Sequence, residues 1–297
     1  MSQRAEPTGS IYDLGYRRYD GVRLGRRHAV LSLYLFSLRG AFGLGRRTSS
    51  KIIPIAIAII AAVPAVIQLG VGAIVSSDRV DIIRPENYFN FIEIAVALFC
   101  AAVAPEVMGR DQRTLTLPLY FSRALGRTDY VLAKLLALWT ALLFLTLIPQ
   151  AVLAVGNGLA SSDSVQYWQD SWLDLPRIIA SGALVAGLFA SLSLLVAAQT
   201  ARRAYATVSV IAVFVISGVI SDIISATAGG VWGQVAVLLT PFQVVRGTVL
   251  WIFGTVPEGD GALGQADLPG YLYFAVLCAA TAFATWLVVR RYERLSV

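Results

Sequence analysis

Charge is scarce in this sequence. Asp, Glu, Lys and Arg make up 14% of its 297 residues, against 57% hydrophobic ones. A soluble domain of that length would need more charge to cover its surface. Histidine is scarcer still. The single one, His28, rules out a multi-histidine metal centre and leaves next to no room for a Ser-His-Asp triad. Cysteine occurs only at Cys100 and Cys278, each inside an apolar run, so neither a disulfide framework nor a metal site can be read from the pair. No secretory leader is expected: the first apolar run starts at Ile52, after an arginine-rich stretch, and is too long for a leader's core.

What the chain has instead is apolar residues in blocks of about twenty, the length that crosses a hydrocarbon core. Six spans are expected in an all-α integral membrane protein: Ile52–Val75, Phe89–Met108, Tyr130–Val155, Ile178–Ala198, Tyr205–Ile224 and Tyr271–Val289. The first contains Pro54 in its opening turn and Pro64 as a kink. The fourth is rich in small residues (Ser181, Gly182, Ala186, Gly187, Ala190) that allow close helix approach. The domain organisation is then a segment 1–51, a membrane domain 52–289 and a tail 290–297.

The net charge of +6 reads as membrane topology rather than nucleic-acid binding. Segment 1–51 carries ten Lys/Arg. Arg110, Arg113, Arg123, Arg127 and Lys134 follow after the second span, Arg202 and Arg203 after the fourth, and Arg290, Arg291 and Arg294 at the end. Twenty of the 24 cations thus fall on one side, and only Arg79, Arg84, Arg177 and Arg246 on the other. This bias places both termini in the cytoplasm of a plasma-membrane protein.

Three further apolar pieces are too short to cross. Met1–Ser10 reads as disordered and Ile11–Arg27 as an irregular cytoplasmic piece. His28–Phe42 forms a helix with His28, Ser32 and Arg39 on one face and Val30, Leu31, Tyr34, Leu35, Leu38 and Phe42 opposite. Flanked by Arg26, Arg27, Arg46 and Arg47, it lies in the headgroup interface or against the protein's own rim. The long outer connection 225–270 holds two apolar pieces, Val231–Leu239 and Phe242–Phe253, separated by Thr240-Pro241. They read as a re-entrant helical hairpin, with Pro241 opening the second helix, or else as one additional pair of spans.

Motifs for chemistry are few. Gly40–Thr48 (GAFGLGRRT) has the glycine spacing of a phosphate-binding loop, but Arg46 replaces the lysine, Arg47 replaces the hydroxyl residue, and no strand precedes it. Nucleotide hydrolysis by this chain alone is therefore not expected. Glu93 and Asp222 lie within apolar runs near the outer boundary. An ionised carboxylate at mid-bilayer costs about 3 kcal/mol, so such residues face a cavity or a partner. Gln68, Glu93, Phe99 and Ser209 together make a candidate substrate pathway between the first, second and fifth spans. Glu106 stands four residues before Arg110, a helical ion-pair spacing.

The connection from Glu106 to Lys134 (EVMGRDQRTLTLPLYFSRALGRTDYVLAK) is the most informative stretch. A tether needs about five polar residues. This one is several times longer, contains several arginines, a Leu/Thr alternation and Pro118, and so is expected to fold and dock. It resembles the second cytoplasmic connection of ATP-binding-cassette exporter permeases of the type-2 class, keeping Thr114-Leu115, Leu119, Ser122-Arg123, Arg127, Tyr130 and Lys134. It departs from that pattern at Arg113, where many members have glycine, and at Ala124, where proline is usual. The opening YDLGYRRYDGVRLGRR is similar to permeases of high-GC Gram-positive bacteria.

The resemblance implies a permease half that pairs with a second permease chain, identical or paralogous. Two ATPase subunits would bind from the cytoplasm. They, not this chain, would hold ATP and magnesium, and no cofactor, metal or nucleic acid is expected on this chain. It implies a coupling helix over Asp111–Phe121, with Leu115, Leu117, Leu119 and Phe121 as apolar contacts; Asp111, Arg113 and Thr114 belong to the same element. Arg123 and Arg127 would make electrostatic contacts with the ATPase or with headgroups. The expected cargo is amphipathic or lipid-like. The rival readings are a non-transporting type-2 permease that passes motion to an extracytoplasmic partner, an ion-coupled secondary transporter and, least, a membrane enzyme.

Overall fold

A computed structural model of the chain describes residues 21, 24–45, 48–74, 84–122, 125–161, 163–228, 230–257 and 261–294. The expectations for Met1–Ser10, for most of Ile11–Arg27, and for Arg46, Arg47, Arg79, Arg123 and Ala124 lie outside the described residues. Among the described residues every regular element is helical. Six helical stretches are long and apolar enough to cross a membrane: Ser50–Val71, Pro85–Arg113, Arg127–Leu159, Asp174–Ala198, Arg203–Thr227 and Gly270–Arg294. The chain is by this measure a multi-pass membrane protein.

The first helices among the described residues are α1 (Gly25–Ala41) and α2 (Ser49–Ile74), the latter continuous through Pro54 and Pro64. α3 (Tyr88–Val107) follows. Two one-turn helices, α4 (Gly109–Arg113) and α5 (Leu117–Phe121), fill the next connection. α6 (Arg127–Ala160) is the longest helix. Asp129 starts it by accepting the Gly126 N–H at 3.1 Å, and Arg26 at the start of α1 forks onto the same carboxylate at 2.7 and 2.8 Å. That fork seats α1 across α6, assisted by Tyr34 donating to Thr140 at 3.1 Å.

The faces of α1 differ from the sequence expectation. Leu33, Ser37 and Ala41 are buried, with Val30, Tyr34 and Leu38 partly so. Leu31 and Leu35 stay exposed beside Leu24 and Phe36. The broad apolar stripe is therefore split: one half packs on the bundle, and the other is left outside among Arg27, His28 and Arg39.

α7 (Ser164–Ser171) is a short helix capped by Asp163, which accepts from the Val165 and Gln166 N–H groups at 3.0 Å. α8 (Asp174–Ala198) runs through the centre. Its Ser181, Gly182, Ala186 and Ala190 are buried, and Trp139 of α6 donates to the Ala183 carbonyl at 2.9 Å. The fifth span is not one regular helix. α9 (Arg203–Ile211) and α10 (Ser217–Thr227) are joined by a π-turn, Ala212–Ile216. The wide turn carries Phe214 inward, where it stacks on Phe189 of α8 with ring centroids 4.6 Å apart.

α11 (Gly230–Leu239) and α12 (Pro241–Phe253) meet at 90° around Thr240. At ten and thirteen residues they extend about 15 and 20 Å at the helical rise, each short of a hydrocarbon core. Thr240 donates back to the Ala236 carbonyl at 2.8 Å, and Pro241 sits where a helix start needs no N–H. α13 (Ala262–Ala266) and α14 (Gly270–Arg294) complete the chain.

α12 lies so close to α14 that a methyl group on Gly247 would come within 2.5 to 2.7 Å of Tyr273 ring carbons. Gly247→Ala is expected to destabilise the protein by about 1–3 kcal/mol through overpacking, read as a lowered thermal midpoint in detergent. Gly233→Ala, whose methyl would sit 3.5 Å from Ser225, is the control and should stay within about 1 kcal/mol of the parent.

Candidate functional site: the folded connection between the second and third spans

α3 ends at Val107 and Met108 breaks the helical phase. The chain turns through α4, reverses at Leu115 and re-enters a single helical turn, α5, with Pro118 near its start. The reversal is held locally. Thr116 returns both its N–H, at 3.1 Å, and its hydroxyl, at 3.3 Å, to the Asp111 carbonyl. Thr114 donates to the Arg110 carbonyl at 3.0 Å. Leu115 adopts φ 53°, in the left-handed region, a conformation that costs a non-glycine residue on the order of 1 kcal/mol or more. The expected single helix over Asp111–Phe121 is thus two short helices about a strained corner.

The anchor is a buried charge pair. Asp111, 6% exposed, meets the ammonium of Lys134, 2% exposed, at 2.8 Å. Tyr130 donates its hydroxyl to the same carboxylate oxygen, also at 2.8 Å. Asp111 therefore points into the protein. Around it stands an aromatic box: the Tyr130 ring packs against Tyr120, Phe121 and Tyr292 at centroid distances of 5.7, 5.8 and 5.4 Å, and Lys134 lies over its face. Burial, and then the negative charge of Asp111, push the Tyr120 hydroxyl above its ordinary pKa, against a smaller pull from Arg110.

Further ties run to the ends of the other spans. Gln112 donates to the Tyr292 hydroxyl at 2.6 Å and to the Ala198 carbonyl at 3.4 Å. Arg127 reaches the Glu293 carbonyl and lies over the Phe121 ring. Glu106 pairs with Arg113 at 3.3 Å and with Arg203 at 3.1 Å. Arg113, two helical turns on, stands where the sequence expectation put Arg110. The connection is thereby fixed to α3, α6, α8, α9 and α14.

Of the coupling candidates, Leu117 is buried and Phe121 half-buried within the chain's own box, while Thr114 shapes the turn. Arg113 and Arg127 are engaged as described, and Arg123 falls outside the described residues. Leu115 and Leu119 remain, 79% and 66% exposed. Two large apolar side chains stand in the open on a rigidly held connection.

The four pathway candidates have different surroundings. Gln68 and Phe99 are buried, Phe99 against Phe42 with centroids 5.9 Å apart, whereas Ser209 is exposed on α9. Glu93 is bound by Arg246 of α12 through a forked guanidinium contact, one arm at 3.1 Å. None of the four lines the 740 Å³ cavity at the end of the bundle away from the connection. That cavity is polar, walled by Arg84, Asn90, Asp222, Gln243 and Arg246, with Gln243 donating to Asp222 at 3.0 Å. The opposite charges of Glu93 and Arg246 inside apolar runs were the sequence signal for this pairing. Nothing in the spacing of Asp111 and Lys134 marks theirs. Among the described residues no three or more of His, Cys, Asp and Glu gather as a metal-binding group.

A comparison with protein-family models finds no match, and no curated protein matches the sequence significantly.

Lys134→Met leaves Asp111 buried without its counter-ion and is expected to cost about 3–5 kcal/mol. Adding Asp111→Asn removes the orphaned charge while keeping an acceptor for Tyr130, and should restore most of that loss. Thermal unfolding of the three variants checks it; equal stability of the single and double variants would remove the pair from its anchoring role.

Proposed function

We propose that this chain is the membrane-spanning subunit of a type-2 ATP-binding-cassette exporter. In this reading it lies in the plasma membrane with both termini in the cytoplasm, pairs with a second permease chain and is driven by two separate ATPase subunits. Its cargo is an amphipathic or lipid-like molecule moved outward. The observation that carries the reading is the exposure of Leu115 and Leu119 on a connection otherwise locked into the bundle. A flexible loop would absorb a push. One fastened at Asp111, Gln112 and Arg127 passes displacement to the second, third and sixth spans as a body.

Other features support the same reading. The basic bias supports a cytoplasmic position for the connection. The outer half of α1, with Leu24, Leu31, Leu35 and Phe36 exposed among arginines, suits the headgroup interface. The bent pair α11–α12, each member too short to cross, suits a re-entrant hairpin entering from the outside. The strain at Leu115 fits a residue kept for what it touches rather than for local stability.

The test is co-purification with the products of neighbouring genes, with ATPase retention as the readout. Leu115→Asp and Leu119→Asp are each expected to weaken retention at least tenfold, the loss typical of an interface anchor. Neither should lower the thermal midpoint appreciably, because both side chains are already exposed. Leu117→Asp, by contrast, should destabilise the permease itself. An ATPase that stays bound to both exposed-site variants with normal turnover would overturn the coupling assignment.

A further inference from the structure

At the basic end of the bundle a groove of 520 Å³ opens between α8 and α14. Its floor is apolar, Leu195 and Leu287, and its rim carries Gln199, Arg290, Arg291 and Arg294. Among the described residues no carboxylate lines it. The nearest acid along α14, Glu293, is turned towards α6, where its carboxylate accepts from the Thr128 hydroxyl at 3.4 Å.

The sequence of α14 grades along this stripe from apolar to basic. Phe283 and Trp286 are exposed and stack with centroids 5.9 Å apart. One turn on, Arg290 lies over the Trp286 ring at 4.9 Å, and Arg294 follows after another turn. An exposed aromatic pair succeeded by arginines is the pattern of a helix leaving the hydrocarbon for the headgroup layer. Arg291 is held in place: it donates to the Gln199 side chain at 2.6 Å and the Gln199 carbonyl at 3.4 Å. Its Nε–H is buried and has no hydrogen-bond partner. A preset guanidinium, flanked by two exposed ones above an apolar floor, matches a phosphodiester carried on acyl chains.

We propose that this groove binds the headgroup phosphate of an anionic phospholipid. The guanidinium groups of Arg290, Arg291 and Arg294 take the phosphate oxygens, and the first acyl carbons lie on Leu195 and Leu287. The site also touches the connection, since Tyr292 and Glu293, within the same turn of α14, hold Gln112 and Arg127. An occupied groove braces the end of the span that anchors the connection. The inference does not depend on the exporter reading.

Native mass spectrometry of the full chain in detergent, titrated with phosphatidylglycerol or phosphatidylcholine, tests it. The parent protein should retain phosphatidylglycerol in preference to phosphatidylcholine. Arg290→Gln with Arg294→Gln should weaken phosphatidylglycerol retention by about thirtyfold, from the usual gain per basic residue near an anionic lipid. Arg202→Gln, which removes an exposed cation elsewhere at the same end, should leave it unchanged. Equal losses in the two variants would mean diffuse attraction rather than a site. Displacement of the lipid by an equal concentration of inorganic phosphate would mean a site for free anion. Either result, or no loss in the double variant, overturns the proposal.

Discussion

The buried contact between Asp111 and Lys134 is the constraint on which the described architecture turns. Two opposite charges taken out of water are tolerated only when their geometry is good and their remaining valences are filled. Here Tyr130 supplies the extra hydrogen bond to the carboxylate, and its ring faces the ammonium. The pair joins the end of one span to the start of the next across a connection that would otherwise be free. Once it is formed, the box of Tyr120, Phe121, Tyr130 and Tyr292 has fixed walls, and Gln112 is brought to the last turn of α14. Rigidity of the connection is thus a consequence of where one acid is buried.

The two ends of the bundle solve the charge problem in different ways. At the basic end ion pairs and hydrogen bonds together knit the connection to five helices. At the other end a forked contact, Glu93 with Arg246, joins α3 to the second arm of the bent pair and borders a polar cavity. Between the ends the packing is tight where glycine allows it, at Gly182 against Leu147 and at Gly247 against Tyr273. The fifth and sixth spans are the least buried of the six. Their exposed apolar residues suit contact with lipid or with another helical chain.

Much of the fold was legible in the sequence because a membrane imposes a length. Runs of about twenty apolar residues located all six spans to within a few residues, and Thr240-Pro241 located the bend between α11 and α12. What was not legible depends on phase. Glu106 and Arg110 have helical spacing, yet Glu106 pairs with Arg113, two turns on, and with Arg203 of the fifth span. Leu115, Leu117, Leu119 and Phe121 look equivalent as a sequence alternation. The left-handed corner at Leu115 sends Leu117 inward and leaves Leu115 and Leu119 outside. The four pathway candidates were chosen by polarity and rough depth, neither of which says which way a residue faces: Gln68 and Phe99 are buried, Ser209 is exposed and Glu93 is taken up by Arg246. The helix α7 had no signal stronger than Asp163 at a capping position.

The wide turn at Ala212–Ile216 has a mechanical consequence of its own. A π-turn is a helix holding one residue more than its pitch allows, a dislocation in an otherwise periodic lattice. Its presence offsets every residue beyond it by about 100°, the angle per residue of an α-helix, relative to an unbroken helix. In the fifth span that offset sets the face on which Asp222 meets Gln243 while α9 keeps its seat on α3. The two ends of the span are therefore phased separately, like a screw thread cut with one surplus pitch.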